Sequence, residues 1–137
     1  MTLALEGNRY GMPGMYDAGD IEVAVEDGLS IVRLLGEHDL ASQRLLATKL
    51  ATLIESGNPL VFDVTRATFM DSTVVHAMLN ARSALAARSV PVALVVSDSA
   101  PAGIRKLIEL ASAETSLVIA QSTEQAKQQL LLAGQEN

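Results

Sequence analysis

The chain has 137 residues, 49% of them hydrophobic and 19% charged, with 16 acidic against 10 basic side chains and a formal net charge of -6. That length and balance fit one folded domain and exclude a chain too polar to collapse. The acidic excess, the 3% aromatic content and the scatter of Lys49, Arg66, Arg82, Arg88, Arg105 and Lys106 exclude a basic phosphate-tracking stripe or a base-stacking platform, so nucleic acid is not an expected partner.

Cysteine is absent, which removes disulfides, thiolate metal sites and cysteine nucleophiles together. No window approaches the ~18 apolar residues of a membrane span, and no basic region followed by a long apolar run opens the chain. The expected setting is cytoplasmic, with no membrane partner.

Residues 1–20 hold four of the nine glycines plus Pro13 and show no helical or strand period, as expected of a flexible extension. The domain is expected over residues 21–132, followed by a short tail at 133–137. Its first elements are two alternating runs, residues 21–25 and 29–35, joined by Asp27-Gly28, a strong local hairpin signal. From Asp39 the period changes: Leu46, Leu50, Leu53 and Ile54 recur at helical spacing until Gly57-Asn58-Pro59 stops them. Residues 60–64, Leu-Val-Phe-Asp-Val, read as a strand covered on both faces at the sheet centre.

Asp71 or Ser72 then caps a second helix to about Arg88, and Val90 to Val96 supplies another buried strand. Pro101 sits near the first turn of a third helix that runs through Leu110. A last strand spans residues 116–120. Ser122 with Gln125 three residues on fits a capping box for a final helix to about Leu132. Apolar strands alternating with helices predict an α/β domain with about four helices and a mixed sheet, the opening hairpin plus parallel strands. Sites in such sheets gather in the loops at the carboxyl ends of the strands, and Asp71-Ser72 lies in the one after the central strand.

At ~100° per residue the second helix puts Val74, Ala77, Met78, Ala81 and Leu85 on one face and Ser72, His76, Asn80 and Ser83 nearly opposite. Val75 and Leu79 fall on the flank between. They either pack against an adjacent helix or form a docking patch beside Ser72. The hydroxyls have two readings as well. Ser, Thr and Asp are preferred helix caps, which would make Asp71, Ser72 and Thr73 structural. A phosphate on Ser72 would instead meet backbone N–H groups and the positive end of the helix dipole, where the fold could hold it.

The segment Phe69-Met70-Asp71-Ser72-Thr73 resembles the signature of the STAS family, the anti-sigma factor antagonists. Three further segments agree in order and spacing. Gly36-Glu37-His38-Asp39 resembles the family's Gly-Glu-Leu-Asp, Val61-Phe62-Asp63-Val64-Thr65 precedes the signature, and the run from Ser97 to Pro101 resembles the Ser-Pro segment before the third helix. The resemblance covers roughly residues 21–132. It implies a single STAS-like domain, not an enzyme, that binds an anti-sigma factor with serine kinase activity when unphosphorylated. A sigma factor is then released indirectly. By position the phosphorylated serine is Ser72, with Thr73 the lesser candidate, and the partner-binding surface comprises Asp39, Asp71, Ser72, Thr73, Val75, His76 and Leu79.

Two departures stand out. Val74-Val75-His76 occupies the place where many members have Gly-Leu-Gly, and a β-branched pair with an imidazole would crowd a kinase there. His38 replaces an expected Leu, and both histidines are expected as surface substitutions. Other chemistries find no support. Ser72 is not in a Gly-x-Ser-x-Gly elbow, and His76 four residues along the same helix is poorly placed to serve as its base. Neither Gly-x-x-x-x-Gly-Lys nor Gly-x-Gly-x-x-Gly occurs, and two distant histidines give no metal spacing, so no cofactor or metal is expected. The acids and lysine of an aspartyl-phosphate receiver are not evident. The other reading that stays open is a STAS-like scaffold or small-ligand module that is never phosphorylated.

Overall fold

The computed structural model describes residues 19–113 and 117–135. The expected N-terminal extension therefore lies outside the described residues except for Gly19 and Asp20, and so do the last two residues of the tail. Strand β1 (Asp20–Glu26) and strand β2 (Leu29–His38) form the opening hairpin. Asp27 and Gly28 carry φ of 53° and 78°, the paired left-handed residues of a type I′ turn whose twist matches the flanking strands.

Helix α1 (Leu40–Ser56), strand β3 (Leu60–Met70), helix α2 (Ser72–Ala86), strand β4 (Val92–Val95), helix α3 (Ala102–Ala113), strand β5 (Val118–Ala120) and helix α4 (Thr123–Gln135) follow. The sheet runs in the order β1-β2-β3-β4-β5, antiparallel in the hairpin and parallel from β2 onward. Each crossover steps one strand in the same direction, so right-handed connections place α1, α2 and α3 on one face. Only α4, after the last strand, reaches the other.

The core divides accordingly. Phe62, Val64, Val92 and Leu94 point to the face shared by Leu46 and Leu50 of α1, the apolar stripe of α2, and Ile104 and Ile108 of α3. Their strand neighbours Val61, Ala93 and Val95 turn to Ala126 and Leu130 of α4. The alternation is the period-2 geometry of a strand covered on both sides. Each fully buried side chain of this kind stabilises the fold by roughly 1.5–3 kcal/mol. Lys127 of α4 ties that helix to the hairpin, with Nζ 3.0 Å from Glu26.

Helix ends follow their local chemistry. Gly57, with φ of 77°, closes α1 in the left-handed conformation. The expected box at α4 is present in a shifted form: Gln125 N–H donates to Ser122 Oγ at 3.1 Å, and Gln125 Oε1 accepts from the amide of Gln121 at 2.7 Å.

Several strands differ in extent from their sequence reading, β2, β3 and β4 most clearly. β3 continues six residues past Val64, because β2 also runs on to His38 and the two stay paired through two register shifts. The polar Thr65, Arg66 and Thr68 concealed this extension. β4 begins only at Val92, two residues late, since Pro91 has no N–H to donate. A larger correction concerns His38. It is not a surface substitution but wholly buried, with 0% exposure.

Candidate functional site

The site is built by two parallel strands that end side by side. His38 and Met70 are the last register partners of β2 and β3, and the Asp71 amide donates to the His38 carbonyl at 2.9 Å. The next residue on each chain segment is an aspartate, and each aspartate caps the helix that follows. Asp39 Oδ1 accepts from the amides of Ala41 and Ser42 at 3.0 and 3.3 Å. Asp71 Oδ1 accepts from the Thr73 amide at 2.8 Å and from its hydroxyl at 2.9 Å. The sequence left the cap of the second helix open between Asp71 and Ser72; it is Asp71.

This settles the geometry of the two hydroxyls. Thr73 is half-buried and its Oγ1 proton is committed to Asp71. Ser72 is the first residue of α2 and exposed, and among the described residues its side chain makes no hydrogen bond. The Asp71 carboxylate is held below the usual carboxylate range, first by the Thr73 amide and then by its hydroxyl. It stays anionic at ordinary pH beside Ser72, and Asp39 adds a second acid on the neighbouring loop.

The residues after Thr73 do not crowd that hydroxyl in the way the sequence implied. Val74 and Val75 are 0% and 6% exposed and point into the core. Val75 and Leu79 line a small apolar pocket with Phe62, Met78, Leu94, Ile108 and Leu117. They pack toward α3, the first of the two readings open for this flank: the Val75 side chain is buried in the interior, and Leu79 is half-buried beside it. Of the three, His76 alone is exposed, one helical turn from Ser72 on the same stripe.

Two apolar residues at the site escaped the sequence reading. Leu40, just after Asp39, is 56% exposed, and Phe69, just before Met70, is 49% exposed. The signal for Phe69 was strand parity. Met70 enters the core, so its neighbour points away from it. Among the described residues no group of His, Cys, Asp and Glu could hold a metal ion, and no helix is long and apolar enough to cross a membrane.

A mixed sheet with three helices on one face, one on the other, and paired cap aspartates at adjacent strand ends defines a small α/β domain of the STAS type. The sequence profile of the STAS domain matches residues 20–128, and the chain belongs to that family. Among solved structures, the anti-sigma factor antagonist SpoIIAA in its unphosphorylated form is 24% identical, with 80% of this chain and 94% of that chain covered and a TM-score of 0.61. The phosphorylated form of SpoIIAA, the Bacillus cell fate determinant, gives 24% identity, coverages of 82% and 98%, and a TM-score of 0.60. An anti-sigma factor antagonist from Mycobacterium paratuberculosis is 18% identical, with 88% and 97% covered and a TM-score of 0.69. No curated protein sequence matches the chain. At these identities the structural likeness carries the fold.

Proposed function

We propose that the protein is an anti-sigma factor antagonist whose binding is switched by phosphorylation of Ser72. Unphosphorylated, it docks on an anti-sigma factor that is also a serine kinase, and a sigma factor is set free. Phosphorylated, it lets go. The protein itself is non-catalytic and works as a cytoplasmic binding module. The observation that carries this reading is the contrast between two adjacent hydroxyls: Ser72 exposed and unengaged, Thr73 tied to Asp71. Support also comes from SpoIIAA, an anti-sigma factor antagonist with an unphosphorylated and a phosphorylated form.

The chemistry of the switch follows from the cap. Asp71 already accepts the Thr73 amide that a phosphate would otherwise use. A phosphoryl group on Ser72 therefore stays at the surface, adding ~2 negative charges next to Asp71 and Asp39. The fold is left intact while the face offered to a partner changes charge and shape. Leu40 and Phe69 supply exposed apolar contacts at its edge, and the acids favour a basic partner surface.

A pull-down against anti-sigma factors of the same genome tests this. Wild type and Ser72→Ala should be retained by one of them, and Ser72→Asp should be lost. Equal retention of Ser72→Asp would replace the switch with a phosphorylation-independent scaffold or small-ligand module.

A further inference from the structure

His38 can take a second proton only by burying a charge. With Ser30 it makes up the buried polar residues among those described. Its Nε2 lies 3.0 Å from the Leu35 carbonyl, which fixes the neutral ring with its proton on Nε2 as donor. Nδ1 is then a bare acceptor, buried and without a hydrogen-bond partner. A proton there would put a positive charge in a buried site, where the backbone of Leu35 and Asp20 makes up only part of the lost hydration.

Backbone covers the ring. Gly19 lies against it so closely that a Cβ at that position would overlap the imidazole and the Glu37 carbonyl. The charged groups around the ring are Asp20 from β1 and Asp39 from the start of α1, both favouring the imidazolium. Glu37 of β2 is exposed, β3 contributes uncharged Met70 as register partner, and the Asp71 carboxylate at the start of α2 is turned to Thr73. Burial outweighs the Leu35 carbonyl, the Asp20 backbone and the two aspartate carboxylates and holds the ring below the ordinary histidine value.

His38 also sits where both cap loops are anchored. Its carbonyl receives the Asp71 amide, and its successor Asp39 caps α1. We propose that His38 is a protonation-sensitive positioning residue: neutral, it locks the ends of β2 and β3 so that Asp39 and Asp71 stand together, and protonated, it opens its cover at Gly19 to reach water and loosens both caps. Acidification thus disorders the partner-facing loops from beneath. The device acts through burial and one backbone hydrogen bond, and holds whether or not Ser72 is ever phosphorylated.

NMR of the full-length protein, with no kinase or partner present, tests it. The His38 ring and the Asp71 amide are followed over the same pH series in wild type, His38→Gln and His38→Leu. The expected result is a His38 midpoint below 6.5, with loss of Asp71 amide protection, corrected for intrinsic exchange, tracking that midpoint. His38→Gln retains a donor for Leu35 but cannot take up the proton, and should keep the Asp71 amide protected across the series. A His38 midpoint at or above 6.5, an Asp71 amide indifferent to that titration, or an unchanged response in His38→Gln would overturn the proposal. Should both variants fail to fold, the wild-type titration decides alone.

Discussion

The backbone amide of Asp71 donates to the carbonyl of His38 at 2.9 Å, so the cap of α2 hangs from the residue that precedes the cap of α1. One strand-end contact therefore places both aspartates, and through them the first turn that carries Ser72.

The caps make unequal predictions for neighbouring residues. Asp39→Ala should destabilise the fold by about 1 kcal/mol, as removal of a helix cap does. Ser72→Ala should stay within about 0.5 kcal/mol, because its exposed side chain holds nothing. Urea unfolding checks both, and a large loss from Ser72→Ala would mean that the hydroxyl is structural.

Val75 separates the interior from the docking surface. Val75→Ala removes two buried methyl groups beside Phe62 and Ile108 and should lower stability by about 2 kcal/mol. Partner affinity of the remaining folded protein should hardly change. A stable variant that binds poorly would return Val75 to the interface.

Gly19→Ala probes the cover on His38. The added Cβ meets the imidazole and a backbone carbonyl, and overpacking of this kind costs about 1–3 kcal/mol. Thermal melts should show the loss, and pairing it with His38→Ala should recover part of it. No recovery would mean that the Glu37 carbonyl alone sets the limit.

Stability should fall with acid in two windows. A histidine whose folded pKa is depressed binds its proton more readily when unfolded, so stability is lost as pH drops below 6.5 toward the folded value of His38. The depressed Asp71 carboxyl acts in the same direction lower down. Its contribution is present above 3.8 and lost as pH falls through the folded value. In a pH series of urea midpoints, His38→Gln should flatten the upper window and Asp71→Asn the lower one.

The fold was readable because its signals are local. Asp27-Gly28 dictates a hairpin, and Leu46 and Leu50 repeat at helical spacing. The capping box at Ser122 and Gln125 marks a helix start. The stripe of Val74, Met78 and Leu85 was legible for the same reason. The site was legible in part: Asp71 and Ser72 stand out at a strand-to-helix join, but the division of labour between them depends on where Oδ1 turns, which spacing does not encode. His38 was misread because a histidine is judged polar by type, although its parity with Val32 and Leu34 directs it inward. The β3 extension depends on pairing with the far end of β2, across the whole of α1, a non-local pairing that no local pattern announces.

The most direct test of the central claim is to incubate the protein with ATP and its cognate serine kinase and map phosphate by mass spectrometry. The account predicts a single modification on Ser72, absent in Ser72→Ala and unaffected by Thr73→Val. Phosphate on Thr73, or none on either residue with a kinase that binds the protein, would contradict it.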